Sequence, residues 1–330
     1  MSTTPLSVNI VAQDNASGLT RDVQIIMEAL NSPDFELSWC SACRPGLRHQ
    51  FPRQMMARLE QLLYRARHQQ PRYDVNIFVE GVVPWWFPFA RFNLLIPNQD
   101  WFHSYWQPYL KHFDYILCKT HLAERVFSPW GQTYYMGFTS CDRRDWQITP
   151  NYDTAFHLGS DRVRLGTNLL LKVWQQHPEF PKLTLISKNS SPKIAEAKNI
   201  NIINEFVPES HLTHLQNKHG VHIYGTRIEG FGHRIMEAMS ASAATVTTDA
   251  PPMNELVTPE RGLLIPYSTT KPQNWGTRYH VNAKGLTKTL ETLWGKTTQT
   301  RQVWGEQGRA YYEDSRRGFQ QRLLTILKNL

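Results

Sequence analysis

Short apolar stretches alternate with amphipathic helical patterns over almost the whole of this 330-residue chain. That alternation is the signature of parallel α/β units. In the first half, the pattern predicts strands at Val8 to Ala12, Phe35 to Ser41, Val75 to Val79, Phe92 to Ile96 and Tyr115 to Cys118. It predicts helices through Val23, Ile26, Met27 and Leu30, through Met55, Leu59, Leu62 and Leu63, and near Trp101 to Phe113 and Thr120 to Phe127. After the polar, turn-rich stretch Gly137 to Asp153, which reads as a linker, a second alternation begins. Its strands are expected at Ala155 to Leu158, Leu183 to Ser187, Ile200 to Ile203, Val221 to Tyr224, Thr245 to Thr248 and Leu263 to Ile265, and its helices at Gly166 to Gln175, His211 to Lys218, His233 to Ser242 and Val281 to Trp294. The expectation is an α/β protein of two Rossmann-like domains, 1–150 and 151–304, facing across a cleft at the carboxyl ends of both sheets, where such folds bind ligands.

Composition narrows the class further. With 41% hydrophobic and 19% charged residues, and 11 Trp, 13 Tyr and 15 Phe, the chain can fill two cores and is no polyelectrolyte. Its most apolar segment, Gly81 to Pro97, is broken by Pro84, Pro88, Arg91 and Asn93, so no membrane span is expected. Met1 to Asn15 lacks the pattern of a secretory signal, and a cytoplasmic location is expected. Cys40, Cys43, Cys118 and Cys141 are read as ordinary reduced thiols; Cys40-x-x-Cys43 has ligand spacing but no second pair to complete a zinc site.

The net charge of +8 is concentrated at the end of the chain, where residues 276–330 hold 10 basic and 4 acidic side chains. Phe319, Leu323, Ile326, Leu327 and Leu330 recur there at helical spacing. The segment 305–330 is therefore expected to be a helix that docks on a domain. The same pattern leaves room for a peripheral contact with an anionic membrane face. Basic charge confined to a tail, without a nucleic-acid-binding motif, argues against nucleic acid as a partner.

The densest run of unusual residues is GTRIEGFGHRIME, Gly225 to Glu237, placed between the strand VHIY and the strand ATVTT. Gly230 and Gly232 remove side chains where the backbone enters a helix, so an anion can approach the amides and the positive end of the helix dipole. The dinucleotide fingerprint fails here because Ile235 stands where its third Gly belongs. The P-loop fails because Phe231 and Gly232 replace its Lys and Ser/Thr. What remains is a pair of carboxylates, Glu229 in the loop and Glu237 two turns into the helix. Glu229 can face a hydroxylated group beyond the phosphates, and Glu237 can accept hydrogen bonds from a ribose diol. Diphosphate, ribose and a further hydroxylated group together describe a nucleotide sugar.

The segment EGFGHRIMEAMSASAATVTTDAPPMNELVTPERGLLIP resembles the Glu-x7-Glu region of retaining glycosyltransferases with the GT-B fold, those similar to glycosyltransferase family 4. The likeness is specific over residues 221–266, weaker over 155–205, and one of layout alone in the first 150. It implies that Glu229 contacts the donor sugar, that the amides of Gly230, Phe231 and Gly232 lie by the sugar and phosphates, and that Glu237 holds the ribose. The donor would be UDP- or GDP-linked, with no cofactor and no metal, and the acceptor a glycan, a lipid-linked species or a protein. The C-terminal helix would return to the first domain. One position departs from the family: Leu165 stands where it usually has a Lys that neutralises the diphosphate. Arg162, Arg164, Lys188 or Arg227 are the substitutes, with Arg164 and Lys188 foremost. A sugar-nucleotide-binding protein with little or no transfer is the alternative reading.

In the first domain the loop Asp14 to Gly18 could present the amide of Gly18 to the phosphates. Glu80, Asp100 and His103 fall just beyond strands and are the candidates for an acceptor-side base.

Overall fold

In a computed structural model of the protein, described here for residues 4–14, 18–41, 71–159, 166–187 and 197–330, the chain forms two compact units, Met1–Phe138 with Gly318–Leu330, and Thr139–Arg317. The helix expected through Met55 to Leu63 lies outside the described residues, as do Cys43, Arg162, Arg164, Leu165 and Lys188.

The first unit carries strands β1 (Leu6–Ala12), β2 (Phe35–Ser41), β3 (Tyr73–Glu80), β4 (Ala90–Pro97), β5 (Tyr115–Cys118) and β6 (Thr133–Tyr135). They form one six-stranded sheet in the order β2-β1-β3-β4-β5-β6, and every pair is parallel. Val8, Ile10, Ile77, Leu94, Leu95 and Ile116 are fully buried, as expected of strands covered on both faces. The helix Gly18–Ala29 buries Leu19, Val23, Ile25 and Ile26. The helix expected over Trp101 to Phe113 is instead a 3-10 helix, Ser104–His112, with Pro108 inside it. Proline lacks the N–H an α-helix would need there.

The second unit carries β7 (Asn151–Leu158), β8 (Leu183–Ile186), β9 (Ile200–Ile203), β10 (His219–Tyr224), β11 (Ala244–Thr248) and β12 (Gly262–Ile265). Their order is β12-β11-β10-β7-β8-β9, again all parallel. Counted within the unit this is the Rossmann order 3-2-1-4-5-6, with its switch point between β7 and β10. Leu171, Val173, Trp174, Leu183, Leu185, Val221, Ile223, Val246, Leu290 and Leu293 fill one core cluster.

Two expectations need correction in detail. The stretch 139–150 belongs to the second unit, and β7 begins at Asn151 inside the expected linker. Val281, expected to open a helix, closes an antiparallel hairpin of β13 (Tyr267–Gln273) and β14 (Gly276–Val281); the helix follows at Ala283–Trp294. Few of the hairpin's residues are apolar, which hid its period, and Asn282 caps the helix by accepting from the Gly285 N–H.

The final helix, Thr298–Lys328, is continuous. Its residues from Gly318 onward are grouped with the first unit, where Phe319, Leu323 and Leu327 are buried. Phe319 meets Phe138 edge to face at 4.9 Å, Arg322 Nε donates to the Met136 carbonyl, and Lys328 pairs with Asp34. Of the apolar stripe seen in the sequence, Phe319, Leu323 and Leu327 are thus consumed within the protein. Among the described residues no helix is long and apolar enough to cross a membrane.

Candidate functional site

At the switch point of the second unit, the residue that follows β10 meets the start of the helix that comes after β7. Gly166, in the left-handed region at φ 70°, precedes the helix Thr167–Gln176, and a Cβ placed on it would lie 2.6 Å from the carbonyl oxygen of Gly225. Only glycine permits that approach. On β7, His157 is fully buried and joins β10 to the first residue of that helix: its Nδ1 lies 2.6 Å from the Ile223 carbonyl and its Nε2 2.9 Å from the Thr167 hydroxyl. The carbonyl can only accept, so Nδ1 carries the proton and Nε2 accepts from Thr167. Burial holds this imidazole down to about 4 against the weaker pull of the Ile223 carbonyl, so it is neutral at pH 7 and serves as a pin.

From Gly225 to Gly232 the loop is fixed by its threonines. Thr248 Oγ1 donates to the Thr226 carbonyl at 2.6 Å, and Thr226 Oγ1 donates to Glu229 Oε1 at 2.8 Å. Glu229 is half-buried and oriented by that bond. Gly232 sits at φ 119° as the N-cap of the helix His233–Ser240, and no side chain caps it. A Cβ there would lie 2.9 Å from Leu256 Cδ1. The helix N-terminus therefore opens on a turn in which glycine is required, with the dipole's positive end unmasked by a capping side chain. Phe231 is buried beneath the turn, edge-on to His233, and Gly230 is half-buried.

Glu237 is 1% exposed. Its Oε1 lies 3.6 Å from an Arg143 nitrogen and accepts from the Ser140 hydroxyl at 3.4 Å. Arg143 also pairs with Glu209, and its backbone N–H donates to Ser240 Oγ. Burial alone would lower the Arg143 guanidinium, but Glu237 and Glu209 outweigh it and leave it above its ordinary value. Arg143 and Ser140 were missed in the sequence because they stand in the polar stretch read as a linker, where an Arg-Arg pair ordinarily marks a solvated face. Arg227 is half-buried in the same loop as Glu229.

In the first unit, the carboxyl ends of β3, β4 and β5 gather a second polar group. Glu80 ends β3 at φ 67°, an uncommon value for a residue with a side chain. The Gly81 N–H donates to the Val79 carbonyl across it, closing a γ-turn of the rarer hand. Asn98 Nδ2 donates to Glu80 Oε2 at 3.2 Å. Nearby, Lys119 and Asp22 form an ion pair at 2.5 Å in which both side chains are buried. Burial raises the Glu80 carboxyl; Lys119 opposes this, and Asp100 and Asp22 reinforce it. Glu80 and Asp100 are thus brought together, whereas His103 stacks on Tyr105 at 5.0 Å and meets Trp106 edge to face. Lys119 and Asp22 were not singled out in the sequence; the position of Lys119 directly after a strand was the available signal. Gly18 opens the helix Gly18–Ala29, and a Cβ added there would meet nothing within 4 Å. Among the described residues no group of three or more His, Cys, Asp or Glu is placed to hold a metal.

No protein-family model matches the chain, and no curated protein sequence matches it. Solved structures do. The sucrose-phosphate synthase of Thermosynechococcus elongatus is similar at a TM-score of 0.71 and 14% identity, over 98% of this chain and 98% of that one. A glycosyltransferase from Rickettsia africae has a TM-score of 0.71 at 12% identity, over 99% of each chain. HepE of Anabaena, solved in complex with UDP and glucose, has a TM-score of 0.71 at 12% identity, over 98% of this chain and 100% of that one. At such identities the likeness is one of fold: two parallel six-stranded sheets with their helices, the GT-B plan of glycosyltransferases.

Proposed function

We propose that the protein is a glycosyltransferase that binds a nucleoside-diphosphate sugar on its second unit and moves the sugar to an acceptor hydroxyl. The observation that carries this reading is the meeting of Gly166 and Gly225 at the switch point, in a loop that holds a carboxylate in place through Thr226 and ends at an uncapped helix N-terminus. The amides and dipole there suit a diphosphate, and Glu229 suits the hydroxyls of the sugar joined to it. That solved proteins of the same fold include a UDP and glucose complex supports the assignment, as does the resemblance of residues 221–266 to the Glu-x7-Glu region of glycosyltransferase family 4.

In this reading the leaving group is the nucleoside diphosphate, and its developing charge is met by the helix N-terminus and by cationic side chains. Transfer proceeds without a metal and with retention of the anomeric configuration, and the base is uracil or guanine. Glu237 takes the ribose with the support of Arg143. Glu80 and Asp100 serve the acceptor, which is a glycan, a lipid-linked species or a protein. The protein works in the cytoplasm or peripherally at the inner face of the membrane. A second reading, sugar-nucleotide binding with little turnover, is favoured by Leu165, which is uncharged where related enzymes carry Lys.

Calorimetric titration with UDP, GDP and their sugar conjugates in EDTA tests the assignment. Wild type is expected to bind one base saturably, and Glu237→Gln to lose about tenfold or more in affinity. Glu229→Gln is expected to retain nucleotide affinity within a few-fold and to lower donor turnover about 10–100-fold. If wild type binds neither nucleotide, the donor assignment is wrong. Binding without turnover would select the second reading.

A further inference from the structure

The hairpin of β13 and β14 gathers positive charge beside the Glu229 loop that the fold itself does not need. In its register Lys271 stands opposite Arg278 and Thr269 opposite His280. Residues opposite one another in an antiparallel pair share a face, and alternation puts Lys271, Arg278 and His280 on the same one. Like charges directly opposite each other weaken a sheet, and this sheet has only two strands to absorb the cost.

The hairpin is fastened to the loop. The Tyr279 N–H donates to the Arg227 carbonyl at 2.7 Å, two residues before Glu229. The Arg227 side chain adds a third permanent cation to the group. Burial, and then the proximity of Arg278, holds its guanidinium below its ordinary value. His280 is likewise held down by burial and then by Arg227, Lys271 and Arg278.

Among the described residues no carboxylate pairs with Arg227, Lys271 or Arg278; Arg278 donates to the neutral Gln273 side chain. The buried Nε of Arg278 and Nε2 of His280 have no hydrogen-bond partner. A repulsive cluster with an unmet guanidinium donor, tied by its backbone to the loop of a candidate binding site, is arranged for an anion supplied from outside.

We propose that this hairpin face is an oxyanion site for the donor, taking a phosphate or carboxylate group of the nucleotide sugar bound beside Glu229. The inference rests on the donor reading above and names residues that supply the charge absent at Leu165. The oxyanion has two sources, the donor's diphosphate or an acidic substituent on its sugar.

Both sources are separated by titrating inorganic pyrophosphate, UDP and GDP, and the glucose and glucuronate conjugates of whichever base wild type binds. The proteins are wild type, Lys271→Gln/Arg278→Gln, and Glu237→Gln as the donor-site control. A loss of about tenfold or more in the double variant for pyrophosphate and every diphosphate alike assigns the site to the diphosphate. A loss confined to the glucuronate conjugate assigns it to an acidic sugar. Unchanged affinities for all ligands, with the melting temperature preserved and Glu237→Gln still impaired, overturn the oxyanion site and leave the donor reading standing. If wild type binds no nucleotide the donor reading fails, and so does this proposal as a donor site.

Discussion

Lowering the pH from 7.5 to 5 is expected to cut the stability of the second unit by several kcal/mol, with the steepest loss below pH 6.5. Three histidines drive the effect. His157, His219 and His222 are at most 4% exposed. Burial holds His157 and His219 down to about 4 and His222 to about 3. Cations deepen the shift, Arg234 near His157 and Lys218 and Lys182 near His219. Each ring is used in its neutral form: His222 Nε2 bonds the Gln216 carbonyl at 2.9 Å, and His219 Nδ1 bonds the Thr154 hydroxyl at 2.8 Å.

The sign follows from proton counting. Between about pH 6.5, where an unfolded His titrates, and the depressed folded values, the unfolded chain binds protons that the folded unit excludes, so stability falls as pH falls. At about 1.4 kcal/mol per pH unit per site, three sites lose roughly 6 kcal/mol by pH 5, a large part of the 5–15 kcal/mol typical of a domain. Thermal melts across this range are the measurement, and a melting temperature that stays level from pH 7.5 to 5 would refute the account. His219→Gln, which removes one proton site at an edge of the cluster, should reduce the slope by about a third. Because His157 ties β10 to the start of the helix Thr167–Gln176 beside Gly166 and Gly225, nucleotide binding should weaken over the same pH window.

Much of the architecture could be read from periodicity because it is written in burial. The strand expected at Val221 to Tyr224, largely apolar and bounded by turn residues, appears within two residues of where the pattern puts it, at His219–Tyr224. The Gly225 to Glu237 loop was legible for a related reason: the glycine that enters its helix, Gly232, is demanded by backbone geometry, at φ 119°. What was not legible depends on tertiary proximity. Arg143 and Ser140 precede β7 in sequence and meet Glu237 only after the sheet has formed. The hairpin escaped notice because its strands, β13 exposed and β14 half-buried, carry Thr, Lys and Arg where alternation would have shown apolar residues. The γ-turn at Glu80 leaves no mark in the sequence, since nothing about Glu announces a positive φ.

Gly166→Ala is expected to damage fold and site together. The methyl group would stand 2.6 Å from the Gly225 carbonyl oxygen, and backbone cannot swing aside as a side-chain tip can. The new residue would also have to keep φ near 70°, which costs a residue with a Cβ about 1–2 kcal/mol. Overpacking adds about 1–3 kcal/mol, so a loss of about 3 kcal/mol is expected, or roughly 10 °C in the melting temperature of a unit of this size. Relief can come only by parting Gly166 from Gly225, which displaces Gly225 and with it Thr226, whose hydroxyl orients Glu229. Nucleotide affinity should therefore fall by more than tenfold at temperatures where the variant is still folded. Gly18→Ala is the contrasting case, since its methyl group would meet nothing within 4 Å, and its melting temperature should match or exceed wild type. A Gly166→Ala protein with wild-type melting temperature and wild-type affinity would mean that the close approach of Gly166 and Gly225 is not what shapes the site.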